Sequence, residues 1–123
     1  PLPDILINSD DYNRVLMLAE GASRRMPYVA EYLERELARA ALCHPWERAG
    51  VSMGDNVLFR LDDEAQARMG RLSYPGTLSM GRRRGVPILS PVGAALIGMH
   101  EGSSIEWLDG ERSRLLTVLS YGF

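Results

Sequence analysis

The sequence contains no lysine; all fourteen basic residues are arginine, a bias of composition before it is a functional signal. It has one cysteine, Cys43, which excludes an internal disulfide framework and any multi-cysteine metal site. A reducing, cytoplasmic setting fits that usage. It has two histidines, His44 and His100, with no ligand spacing between them. No apolar run approaches the roughly 18 residues that a membrane span needs, so no membrane partner is expected. The opening Pro1–Asn8 stretch lacks the basic start and long apolar run of a signal peptide, and none is expected. Charge of one sign is also missing. Sixteen acids against fourteen arginines leave a net charge of −2, without the broad basic field that nucleic-acid binding uses. No sequence-specific nucleic-acid partner is expected.

What remains is an ordinary globular composition. Hydrophobic residues are 46% and charged residues 24% of 123 positions, enough for one domain, or a small domain plus an appendage, to fold without crosslinks. Apolar residues recur at helical spacing from Asn8 to Cys43. Tyr12, Val15, Leu16, Ala19 and Ala22 share one face, and Asn8, Ser9 and Asp10 offer caps before it. Gly21 and Ser23–Arg24–Arg25 read as a stop, and Pro27 suits the first turn of a second helix. There Val29, Leu33, Leu37 and Ala40 form a stripe, widened by Tyr32 and Ala41. The expectation is a short antiparallel helical hairpin over 1–50, with 44–50 as a linker.

Beyond it the period changes. Strands are expected at 56–61, 66–74, 86–89, 103–107 and 112–121, with turns at Asp62–Glu64, Tyr74–Gly76 and Asp109–Gly110. Ser90, Pro91 and Gly98 bracket one short helix as N-cap, N1 residue and stop. The fold class is therefore α+β: the hairpin, then a unit over 51–123 made of an antiparallel sheet crossed by one short helix.

One segment is specific. Leu89-Ser-Pro-Val-Gly-Ala-Ala-Leu-Ile-Gly98, followed by Glu101-Gly-Ser-Ser-Ile-Glu-Trp107, closely resembles the S-P-x-G-x-A-L-x-G and G-D-x-I-x-W signatures of the C-terminal domain of Gre transcript-cleavage factors. Ser103 stands where that family usually has Asp. Arg35–Cys43, the loop after it and Asp55-Asn-Val-Leu-Phe59 look most like the Rnk subfamily, described as regulators of nucleoside diphosphate kinase. The resemblance implies an FKBP-like fold that docks at the mouth of the bacterial RNA polymerase secondary channel, against its rim coiled coil. Leu89, Ser90 and Pro91 match the docking segment. A rigid corner at a helix start loses little entropy on docking and offers unpaired N–H groups.

Gre factors carry two acids at a long coiled-coil tip, where they help hold magnesium. Here the expected tip, Ala22-Ser-Arg-Arg-Met-Pro-Tyr28, has none, and Arg24 and Arg25 would repel a cation. The expected function is therefore a non-enzymatic polymerase-binding regulator, with Arg24 and Arg25 among its contacts. It would compete with Gre factors without stimulating cleavage. The alternatives are a Gre-like cleavage factor and an adaptor that binds nucleoside diphosphate kinase.

Other features weigh less. Cys43 lacks a His-Asp arrangement, Asp62–Glu64 reads as a solvated turn, and Arg82–Arg84 as a basic loop. There is no P-loop and no nucleophile elbow. Aromatics are 7%, too few for the aromatic-lined pocket of a prolyl isomerase. No catalytic residue, metal or cofactor is assigned.

Overall fold

In the computed structural model, which describes residues 2–76, 85–109 and 112–123, the chain opens with a three-residue strand, β1 (Leu6–Asn8), that runs straight into α1 (Ser9–Ala22). The Asn8 side chain caps α1, accepting from the Asp11 N–H at 2.9 Å. Such a cap contributes about 1 kcal/mol. Asp10 and Asp11 add negative charge where the helix dipole favours it. Helix α2 (Pro27–Arg39) begins with proline at its first position and packs antiparallel on α1. Val15, Ala19 and Ala22 of α1 and Ala30, Leu33 and Leu37 of α2 are buried where the two helices pack. Ala30 replaces the expected Val29, which is half-buried.

The helical pattern does not persist to Cys43. Helix α2 ends at Arg39, and Ala41–Cys43 form β2, parallel to β1 with Leu6 opposite Ala41. Parallel partners need a crossover, and the two helices supply it. Three-residue strands carry no alternation long enough to show in a sequence.

The second sheet has the order β5-β4-β3-β7-β6, built from β3 (Asn56–Leu61), β4 (Arg68–Ser73), β5 (Gly85–Pro87), β6 (Ser104–Asp109) and β7 (Arg112–Tyr121). Four strands are antiparallel as the pattern predicts. The fifth, β5, pairs parallel to β4, so the sheet is mixed. Helix α3 (Pro91–Leu96) lies between β5 and β6 in the chain. Val57, Phe59, Leu61, Leu72, Ile105, Trp107, Leu116 and Val118 form the buried sheet face, and Ala94 to Ile97 pack on it. Ile5, Ile7, Val15, Leu33 and Leu37 belong to the same apolar cluster, so hairpin and sheet share one core. Among the described residues no helix is long and apolar enough to cross a membrane.

Two glycines allow the halves to close. A β-carbon on Gly50 would sit 2.1 Å from the Gly98 carbonyl oxygen; one on Gly98, at φ +78°, would strike Ile5 and Ile7 at 2.9 Å. Across this contact the Leu6 N–H donates to the Gly98 carbonyl at 3.0 Å, and the Gly50 N–H to the Leu6 carbonyl at 2.9 Å. Residues 44–48 are exposed, whereas Ala49, Gly50 and Val51 are buried.

Candidate functional site

The corner before α3 is built by local bonds. Ser90 is extended, at φ −141° and ψ 158°, and its Oγ accepts from the Gly93 N–H at 3.1 Å while donating to the Pro87 carbonyl at 2.6 Å. Pro91 follows at the first helical position and is exposed; Leu89 is half-buried against the core. Gly93 explains the fourth letter of the Ser-Pro-x-Gly run. A β-carbon there would meet the Pro87 carbonyl oxygen at 2.0 Å, so only glycine lets the helix start close over β5. The corner is thus a rigid surface feature with its own hydroxyl satisfied internally.

The far end of the hairpin is the second candidate surface. The Met26 N–H donates to the Ala22 carbonyl at 2.8 Å, closing the turn between the helices. Ser23, Arg24 and Arg25 are all exposed, and so is Tyr28. No acid lies between Gly21 and Ala30; Glu20 and Glu31 sit on the helix shafts. Corner and tip lie on different elements, related through the shared core and the hydrogen bonds at the hairpin base.

At the hairpin base are polar contacts that the sequence pattern did not reveal. Asp11 accepts from the Met53 N–H at 3.0 Å and from the Tyr74 hydroxyl at 3.2 Å, while the Arg14 guanidinium lies 4.2 Å from the centre of the Tyr74 ring. Burial, and then the Asp11 charge, push Tyr74 up to about 12, so it remains a hydroxyl donor. Glu36 is buried and pairs with the half-buried Arg39, whose Nε donates to it at 2.5 Å and whose Nη1 donates to the Pro3 carbonyl. The Tyr32 hydroxyl donates to Glu36 at 3.4 Å; burial and that carboxylate raise the phenol far above its ordinary value. Their only sequence signals were a polar residue beside an apolar stripe and a tyrosine before a Pro-Gly turn.

The remaining candidates resolve simply. Asp62, at φ +53°, caps the end of β3. It accepts from the Leu115 N–H at 2.9 Å and from Arg114 Nε at 3.0 Å, and these bonds hold its carboxyl below the usual range. Glu64 pairs with Arg68. Among the described residues no group of His, Cys, Asp and Glu is placed to hold a metal ion. His44 stacks on the exposed Trp46 ring at 4.4 Å. Burial, and then Glu47, raise the half-buried Cys43 thiol, which keeps it protonated and a poor nucleophile. Arg82–Arg84 lie outside the described residues.

Comparison with known proteins places this geometry. A solved structure, the prokaryotic transcription elongation factor GreA/GreB from Nitrosomonas europaea, matches with a TM-score of 0.73 and 33% identity, over 98% of this chain and 99% of that one. Gfh1 of Thermus aquaticus matches with a TM-score of 0.50 and 14% identity, over 96% of this chain and 97% of that one, and shares the fold alone. The Rnk N-terminus family model matches residues 3–42, the hairpin with its two short strands. The Escherichia coli (strain K12) protein named Regulator of nucleoside diphosphate kinase is 36% identical over 121 residues, which are 95% of this chain and 88% of that protein. A Gre-type fold, a short hairpin and identity along nearly the whole length make this chain a member of the Rnk family.

Proposed function

We propose that this protein is a non-enzymatic RNA polymerase-binding regulator. It docks through Leu89, Ser90 and Pro91 at the secondary-channel mouth and keeps Gre-type factors out without stimulating transcript cleavage. The observation that carries the reading is the hairpin tip. Helices of 14 and 13 residues reach only about 20 Å, and they end in Arg24 and Arg25 with no carboxylate between residues 21 and 30. Cleavage stimulation needs acidic oxygens to hold a hard cation, and two guanidinium groups repel one. Docking is supported by the likeness to the Nitrosomonas elongation factor, which covers the corner and the hairpin alike, and by the corner's rigidity, which reduces the entropy lost on binding. Arg24 and Arg25 are the contacts made by the inserted end.

The test pairs two assays on purified core polymerase. Displacement of a labelled Gre factor is expected, and stimulation of cleavage in backtracked complexes is not. Robust stimulation, or no displacement at saturating protein, would defeat the reading.

A second reading rests on the name of the Escherichia coli relative, a regulator of nucleoside diphosphate kinase. In it the same corner binds that enzyme. Retention of purified kinase on immobilised protein, lost when Ser90 and Pro91 are both replaced, would favour it.

A further inference from the structure

Asp11 belongs to the first turn of α1, yet its carboxylate collects donors from outside the hairpin. Oδ2 accepts from Asn8 Nδ2 and from the Met53 N–H, each at 3.0 Å; Oδ1 accepts from the Tyr74 hydroxyl at 3.2 Å. Met53 precedes β3 and Tyr74 follows β4, so one side chain holds both strand ends at that end of the sheet. Arg14, three residues along α1, covers the Tyr74 ring. A separate attachment lies at β1, where Leu6 bonds to Gly98 and Gly50 and the bare glycines allow close approach. The shared apolar core seats the hairpin base on α3 and the sheet without fixing a direction; the two polar ties set the angle at which the hairpin leaves it. The arm is long. At about 1.5 Å per residue Arg24 stands about 20 Å along α1 from Asp11, and a rotation of about 10° would carry it about 3.5 Å.

We propose that Asp11 is a positioning residue, the pin that fixes the direction of the Arg24–Arg25 tip relative to the Leu89–Ser90–Pro91 corner. This deepens the polymerase-docking reading and rests on it for its functional half alone. With the pin in place, seating the corner also aims the hairpin. Without it the corner still seats, but the tip samples directions that leave the channel open.

The test is a pulsed-EPR distance measurement between nitroxides at Ser23→Cys and Glu106→Cys, both exposed positions, in a Cys43→Ser background. The parent should give one narrow distribution. Asp11→Asn, which replaces an acceptor oxygen by a donor, should widen it at least twofold at half height. Tyr74→Phe, which removes the hydroxyl bond to Asp11 and leaves the helix start untouched, should widen it by less. A folded Asp11→Asn protein as narrow as the parent overturns the proposal; if that variant does not fold, an unwidened Tyr74→Phe distribution does so. In the polymerase assays Asp11→Asn should keep binding within about twofold while losing about tenfold in exclusion of a Gre factor. Equal losses in both would make Asp11 merely structural and overturn the proposal. If the parent fails to bind polymerase, the docking reading falls and the distance measurement alone decides the pin.

Discussion

Gly93 in α3 lies under the Pro87 carbonyl of β5 so closely that a β-carbon would come within 2.0 Å of its oxygen. Both residues are backbone at the point of contact, and neither can rotate away. Gly93→Ala must therefore push α3 off the sheet or strain β5. The expected loss is about 2–3 kcal/mol, read as a lower urea midpoint with an unchanged slope.

Gly21 gives the contrast. It sits exposed near the end of α1, and a β-carbon there would meet nothing within 4 Å. Gly21→Ala should raise stability by about 0.5 kcal/mol through helix propensity and unfolded-chain entropy. A rise in melting temperature checks it.

Replacing Ser90 and Pro91 together should abolish polymerase binding. The lost cap is expected to cost about 1 kcal/mol, a small part of the stability of a domain this size, so circular dichroism should show a folded protein. Binding that survives the double change unaltered refutes the docking assignment.

Arg24→Ala with Arg25→Ala should leave stability within about 0.5 kcal/mol, since both side chains are exposed and bridge nothing described. The same pair should weaken displacement of a Gre factor while binding through the corner persists. Titrating displacement against binding separates the two effects.

Tyr74 sets an alkaline limit. The free phenol ionises near 10 and the folded one near 12, because burial and the Asp11 charge disfavour the anion. Below pH 10 both states keep the proton, and this site's contribution is present in full. From pH 10 upward the unfolded state gains by releasing its proton, so stability falls until about pH 12 and then levels. Tyr32, raised further, acts in the same direction. Tyr74→Phe should make the fall shallower and remove one tyrosine from the late part of a tyrosinate absorbance titration.

The features legible in the sequence were those that neighbours in the chain decide. Asn8 and Ser90 cap helices through bonds spanning three residues, and Pro27 and Pro91 open helices at the first position; β3 with β7 shows its inward alternation directly. The parallel β1–β2 pair was hidden because Ala41 to Cys43 extend an apolar spacing that also suits a helix, and because Leu6 lies 35 positions from its partner. The apolar run at 86–89 predicts strand β5, but its parallel pairing depends on how the chain between it and β4 returns. Asp11 is by position a first-turn acid; its bonds to Met53 and Tyr74 span 42 and 63 positions and leave no local trace. For the candidate site, the corner and the bare tip could be read in advance, whereas the joint that relates them could not.

The β1 strand is flanked by β2 on one side and by the Gly98 carbonyl on the other. During synthesis β1 emerges ahead of every group it bonds. Ala41 must leave the ribosome before β1 has a neighbour, and Gly98 must follow before the Leu6 N–H has an acceptor. The hairpin can coil early from its own short-range contacts, but its base stays open until Gly98 has been made, and only then does a direction for the tip come into being.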